Sequence, residues 1–314
     1  MTDRPKDFGV RSESRSARAE SEETRSVLAR EANDRGARLH LQGDLEGARE
    51  AYRTALEINP NSATTLNNLG FTLAQEEHWD EAIRHYQQAL NCDPDNGSAW
   101  TNLGCALAAT GNIESALEAL GNAVQNAPNS TLAWNNLGKL LMAIGDLSQA
   151  ERCLRRAIET APTNASLYLT LGSIIAGQNR LPEALTILHE SLRYDANNAE
   201  TWKQLGLVLF MRRDLGSAGD AFQRALALTP EDTEARHHFA TVLLARGDTE
   251  DGIQELQRIL LIAPNHPLAL TDLAVLALSQ GETALAQEYL TTVLAQDPEN
   301  TRAKHYSALA EGSG

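Results

Sequence analysis

Apolar and small residues recur along this chain at two superposed spacings. Locally they fall as in Leu66, Leu69, Gly70 and Leu73, a set that lies within about 100° on a 3.6-residue helix and so forms one stripe. The stripe returns 34 residues later as Trp100, Leu103, Gly104 and Leu107, and again as Trp134, Leu137, Gly138 and Leu141. Self-similarity at such a period marks an array of stacked structural repeats.

Counting slots 1 to 34 from Ala29 and restarting after each 34 residues lays out the lattice. Slot 8 is glycine at Gly36, Gly70, Gly104, Gly138, Gly172 and Gly206, then Ala240 and Ala274. Slot 20 is alanine in every unit except Gly252. Small residues at both slots let two helix backbones approach closely. Slot 24 is large: Tyr52, Tyr86, Leu120, Leu154, Leu188, Phe222, Leu256 and Leu290. Slot 15 is Gly43, Gly111, Gly145, Asn179, Gly247 or Gly281 in six units, which suits a left-handed residue closing a helix. Slot 32 takes seven of the chain's ten prolines, and proline cannot continue a helix. Each unit is therefore predicted to be a helix, a tight turn and a second helix. One such hairpin cannot bury its stripe, but a stack can.

Eight units follow without insertion: 29–62, 63–96, 97–130, 131–164, 165–198, 199–232, 233–266 and 267–300. Residues 1–22 are rich in Ser, Arg and Glu and read as a disordered polar tail. Residues 23–28 are expected to start the first helix. Residues 301–314 begin like another first helix, with Lys304, Ser307 and Ala308 at the stripe positions, and read as a capping helix and tail. Ser191 and Ala196 in the fifth unit and Arg236 in the seventh depart from the pattern. The C-terminal part is expected to be less stable or to bend differently.

The columns together resemble the tetratricopeptide repeat, best at Trp100–Leu103–Gly104, Trp134–Leu137–Gly138 and Trp202–Leu205–Gly206. The resemblance covers residues 29–300. It implies an all-α fold, a right-handed superhelical solenoid of eight helix-turn-helix repeats with a C-terminal capping helix, making roughly one superhelical turn. It says little about function, because one fold serves many partners.

Charge and cysteine content narrow the classes. The net charge of −15 lies in the array, since residues 1–30 nearly balance, so no basic face for phosphates is expected and nucleic acid is not an expected partner. No apolar run is long enough to span a membrane. Met1 to Val10 lack an apolar signal core, so the chain is read as cytoplasmic. Cys92, Cys105 and Cys153 show neither CxxC nor metal spacing and are read as core residues, except that Cys105, at slot 9, faces away from the stripe. No enzyme, cofactor or metal site is expected. His237 and His238 are neighbours on a helix and diverge by about 100°, which disfavours joint chelation.

Function is then expected from a surface. Slots 2, 6, 9 and 13 of the first helices face away from the stripe, and in tetratricopeptide arrays that side lines the concave groove. Slot 6 reads Asn68, Asn102 and Asn136, then Thr170, Gln204, His238 and Asp272, with Asn67 and Asn135 beside them at slot 5. Asparagine is a poor helix former, so the helix itself does not ask for it. A row of amides can bond the backbone of an extended ligand, each offering one acceptor and two donors. This resembles the asparagine ladder in the tetratricopeptide domains of O-linked N-acetylglucosamine transferase and of kinesin light chain. Asparagine at this slot also serves capping and bonding between repeats, and the sequence leaves both roles open. Phe71, Leu169, Leu207, Phe210 and Met211 add apolar groups on that side. The carboxylate clamp of chaperone cofactors is not matched, because Lys203 is followed by Leu207 and slot 6 carries no Lys or Arg in the second to eighth units.

The expected function is a non-catalytic scaffold, largely monomeric, whose groove holds an extended segment of a partner protein. Two alternatives compete. One is a structural platform that self-associates through terminal repeats, and the other is an adaptor presenting substrates to a separate enzyme.

Overall fold

The computed structural model describes the backbone of residues 9–312 and the side chains of residues 22–311. Among the described residues all regular structure is helical, in seventeen helices. The chain divides into two compact units, residues 1–162 and 163–314.

The first unit holds α1 (Gly9–Leu41), α2 (Leu45–Ile58), α3 (Ala63–Gln75), α4 (Trp79–Cys92), α5 (Gly97–Ala109), α6 (Ile113–Asn126), α7 (Thr131–Ala143) and α8 (Leu147–Thr160). Within this unit, from Ala29 onward, each first helix fills slots 1 to 13 and each second helix slots 17 to 30, so the lattice and the helices coincide. The start of α1 differs from the reading above. The helix begins at Gly9, ahead of the expected start near Glu23. Arg, Glu and Ser dominate residues 11–25, and the Arg and Glu favour helix locally even without an apolar stripe. Residues 1–8 of the expected tail lie outside the described residues.

The glycine column is explained by what stands opposite it. A Cβ on Gly70 would lie 2.8 Å from Tyr86 Cε1, and one on Gly104 would lie 2.6 Å from Leu120 Cγ. Slot 8 of the first helix thus receives the large slot-24 side chain of its own second helix. Tyr86 and Leu120 are almost fully buried there. Each first helix after α1 starts on a side-chain cap: Ser62, Asn96 and Ser130 accept from the backbone N–H three residues on. Such a cap contributes about 1 kcal/mol.

The second unit holds α9 (Ala165–Gly177), α10 (Leu181–Tyr194), α11 (Ala199–Met211), α12 (Leu215–Leu228), α13 (Thr233–Arg246), α14 (Thr249–Ile262), α15 (Pro267–Ser279), α16 (Thr283–Gln296) and α17 (Thr301–Gly312). The glycine rule continues at Gly172 against Leu188 and at Gly206 against Phe222. In the seventh repeat the small position moves. Ala240 replaces glycine at slot 8, and Gly252 at slot 20 admits Leu244, whose Cδ2 would lie 2.7 Å from an added Cβ. The helix α17 packs on α15 and α16 through Ala303, Tyr306 and Ala310, as the capping reading expects.

Two irregular residues turn out to be integrated. The indoles of Trp100, Trp134 and Trp202 donate to the slot-32 carbonyls of Pro94, Pro128 and Ala196 at 2.8 to 2.9 Å. Arg236 holds the same slot, and its guanidinium donates to Pro230 O while pairing with Glu255 at 2.7 Å. Both charged groups are about nine-tenths buried, and Glu255 also meets Arg258. Ser191 is fully buried and donates to Ala165 O at 2.9 Å.

All eight turns place slot 15 in the left-handed region. Gly43, Gly111, Gly145, Gly247 and Gly281 do so at φ near 80–90°, Asn179 at 60°, and so do Glu77 at 61° and Arg213 at 63°. The sequence does not flag the last two. A side chain there costs on the order of 1 kcal/mol. Glu77→Gly and Arg213→Gly should therefore each stabilise the fold, by up to about 1 kcal/mol less the entropy that glycine returns to the unfolded chain. Thermal melts of the single variants check this.

Candidate functional site

The first helices carry the predicted ladder, and each unit shows its own version. In the first unit, Asn68 donates through Nδ2 to Asn33 Oδ1 at 3.2 Å, and Asn102 donates to Asn67 Oδ1 at 2.9 Å. The two bonds share one rule: slot 6 of a repeat reaches slot 5 of the repeat before it, 35 residues back. Asn136 instead donates to Cys105 Sγ at 3.1 Å. Thr72 donates to Asn68 O and accepts from His40 Nδ1 at 3.0 Å, while His40 also packs against Phe71 with ring centroids 5.3 Å apart. The amides therefore join successive first helices, the alternative the sequence left open. An asparagine amide that spends one N–H on a neighbour keeps a second N–H and further acceptor capacity. Asn68, Asn102 and Asn136 stay half-buried, within reach of solvent. Asn135 Oδ1 is buried with no hydrogen-bond partner.

Phe71 is 43% exposed, and Cys105 is exposed as well. Although the residue as a whole is exposed, the protein packed around its sulfur desolvates the thiol and raises the Cys105 pKa, which Lys139 opposes only in part. Cys92 is exposed too, whereas Cys153 is buried; the expectation that Cys92 is a core residue fails because it ends the second helix α4, beyond the packed stripe.

In the second unit, Met211 is 53% exposed, while Leu169, Leu207 and Phe210 are half-buried. Gln204 is tied to Glu200 at 3.0 Å along its own helix. His238 stacks on Phe222, centroids 5.8 Å apart. The slot 5 to slot 6 rule reappears with charges: His237 Nε2 donates to Asp272 Oδ2 at 2.7 Å, and Arg302 from α17 donates to Asp272 Oδ1 at 2.6 Å. Although burial raises the Asp272 pKa, the bonds from His237 and Arg302 outweigh it and hold the carboxyl below its usual range. Lys203, at slot 5, is buried and meets Glu200 at 2.8 Å and Glu234 at 2.7 Å. Burial opposes its charge, but these carboxylates hold its pKa above the ordinary lysine value. Asn33, His40 and Arg302 were not singled out by the sequence; the 35-residue offset between slots 5 and 6 is the signal that finds Asn33 and that joins His237 to Asp272. No cluster of His, Cys, Asp and Glu able to hold a metal exists among the described residues.

The histidines give the second unit a pH response. Burial pushes the His238 and His266 pKa values down, with His237 adding repulsion. His266 Nδ1 also accepts from Ala269 N at 3.2 Å, capping α15, and protonation removes that acceptor. A histidine with a lowered folded pKa favours folding above its unfolded value near 6.5 and loses that support as pH falls through the folded value. The melting temperature should therefore fall between about pH 7 and pH 5, and His266→Asn should flatten the fall. An unchanged slope in the variant would contradict this.

Comparison with known proteins bears on the whole array. A family model described as the cilia and flagella-associated protein 70 C-terminal domain matches residues 68–266. A TPR repeat model matches residues 36–77, and a tetratricopeptide repeat model matches 238–301 and 271–311. The chain is a tetratricopeptide repeat protein. The longest match, which spans more than half of it, also places it in the family of that C-terminal domain. Similar solved structures include YrrB, described as a TPR protein with an unusual peptide-binding site, at 21% identity and a TM-score of 0.52, covering 60% of this chain and 97% of that one. PilF of Pseudomonas aeruginosa aligns at 21% identity and a TM-score of 0.63, over 69% of this chain and 99% of that one. In the APC/C hetero-tetramer Cut9–Hcn1 the aligned chain gives 19% identity and a TM-score of 0.62 over 85% of this chain, and this chain spans about half (52%) of its length. These likenesses show the tetratricopeptide fold alone. No curated protein matches in sequence. No described helix is long and apolar enough to cross a membrane.

Proposed function

We propose that this tetratricopeptide repeat protein is a non-catalytic scaffold that binds an extended segment of a partner protein along its first helices. The observation that carries the reading is the amide row of the first unit. Asn68 and Asn102 are held in fixed orientation by Asn33 and Asn67, and each retains hydrogen-bonding capacity toward solvent beside the exposed Phe71. Pre-oriented amides lose little entropy on binding, which favours affinity. They bond main-chain groups, so the partner is selected mainly by extended backbone and by one or two apolar side chains. In the second unit Leu169, Leu207, Gln204, Met211 and His238 supply the corresponding contacts. The unusual peptide-binding site described for YrrB, a protein of the same fold, is compatible with this use. The free thiols fit a reducing compartment such as the cytoplasm.

Site-specific photo-crosslinking tests the reading. Benzoylphenylalanine in place of Phe71 should capture, from native lysate, adducts that map to one segment of a partner. The same group in place of the exposed Glu57 on α2 should not. Equal capture at both positions would contradict binding at the first helices.

A further inference from the structure

A second surface of the first unit lies apart from the asparagine row. A cleft of about 560 Å³ opens between the consecutive second helices α6 and α8, with α7 as its floor. Its floor and wall are apolar: Leu117, Trp134 and Leu137, all half-buried. Its mouth is Gly121 on one side and the exposed Arg152 and Arg156 on the other.

Gly121 is the anomaly. It stands at slot 25, which is Arg, Gln or His in six of the eight repeats. A Cβ placed on it would meet nothing within 4 Å, so packing does not demand glycine here. Its φ lies outside the left-handed region, so the backbone does not demand it either. A glycine inside a helix costs about 1 kcal/mol relative to alanine. The chain thus bears a cost to leave this position empty. What the empty position provides is access to the apolar floor, which a long side chain at slot 25 would cover.

The charges say what enters. No carboxylate lines the cleft, although the chain as a whole carries a net charge of −15. Arg152 and Arg156 lie one turn apart on α8, both facing the opening. Glu159 pairs with Arg156, but both members are more than half exposed, and such a pair yields readily to a competing carboxylate. An apolar floor under a cationic rim is complementary to apolar side chains flanked by acidic ones.

We propose that this cleft is a second docking site, distinct from the asparagine row, that takes large apolar side chains of a partner's acidic segment. The partner's carboxylates meet Arg152 and Arg156 while its apolar group covers Trp134 and Leu137. The cleft opens between second helices, and its α7 residues Trp134 and Leu137 sit at slots 4 and 7 rather than at slots 5 and 6, so one protein can bind there while another occupies the asparagine row.

Fluorescence anisotropy of the full chain with a fluorescein-labelled peptide of leucines interspersed with glutamates tests this. Counterparts with lysine for glutamate, and with serine for leucine, should bind at least about tenfold more weakly, the effect of losing one anchor. Gly121→Gln restores the side chain that the second, sixth and seventh repeats carry at this slot; it should weaken binding about tenfold without lowering the melting temperature. Gly121→Ala, which leaves the mouth open, should bind as the wild type does. Arg152→Glu should weaken binding and reduce its dependence on salt, since Arg156 remains. Asn102→Ala should leave this affinity unchanged, which separates the cleft from the asparagine row. Equal affinity of the Gly121→Gln variant and wild type, or of the glutamate and lysine peptides, would overturn the proposal. So would self-association of the wild type that Gly121→Gln abolishes, since the occupant would then be a second copy.

Discussion

Replacing Gly104 with leucine should destabilise the first unit by about 3 kcal/mol, at the upper end of the usual cost of overpacking a filled core. The added Cβ would stand 2.6 Å from Leu120 Cγ and 3.2 Å from the backbone nitrogen of the same residue. Leu120 is itself almost fully buried and has nowhere to retreat, and a backbone atom does not yield as a flexible side chain does. The gain in helix propensity over glycine, up to about 1 kcal/mol, offsets only part of this. In a unit of this size the melting temperature should drop on the order of 10 °C. Gly121→Ala is the matched control: no atom lies near, so it should raise stability by up to about 1 kcal/mol. Circular dichroism melts of the two variants read opposite signs for one residue type. Two drops of similar size would contradict the slot 8 to slot 24 packing account.

Changing Asn68, Asn102 and Asn136 together to alanine should cost binding far more than stability. Each amide lost from a ligand contact removes about 1 kcal/mol, so affinity for the captured segment should fall on the order of 100-fold. The variant also loses the bonds to Asn33, Asn67 and Cys105. Those losses are largely offset by alanine's better helix propensity, so the melting temperature should move by only a few degrees. Titration calorimetry with the synthetic segment gives the affinity, and the melt gives the control. Preserved affinity with a preserved melt would remove the amide row from the site.

Much of this was legible because a repeat array shows each constraint eight times. Small slot 8 and large slot 24 appear in the sequence as two separate columns, and the structure shows that they face each other. The helix-closing turns at slot 15 were read from glycine and asparagine. Glu77 and Arg213 escaped because the turn is imposed by the flanking helices and overrides the local preference of those two residues. Arg236 read as a weak point, since sequence alone does not show Glu255 and Pro230 O converging on its guanidinium. The asparagine column was found, but not its pairing with Asn33 and Asn67, because a hydrogen bond between repeats joins two columns 35 residues apart. The early start of α1 was missed because residues 11–25 have helix propensity without an apolar stripe, and stripe reading is blind to such a segment.

The claim that the first unit grips main chain is tested most directly by N-methylating the synthetic segment one amide at a time and titrating each peptide against the wild-type protein. The account predicts a loss of about tenfold wherever the methyl replaces an N–H that faces an asparagine, with little change when neighbouring side chains are swapped for others of similar size. Affinity that follows the side chains and ignores the methyl groups would contradict it.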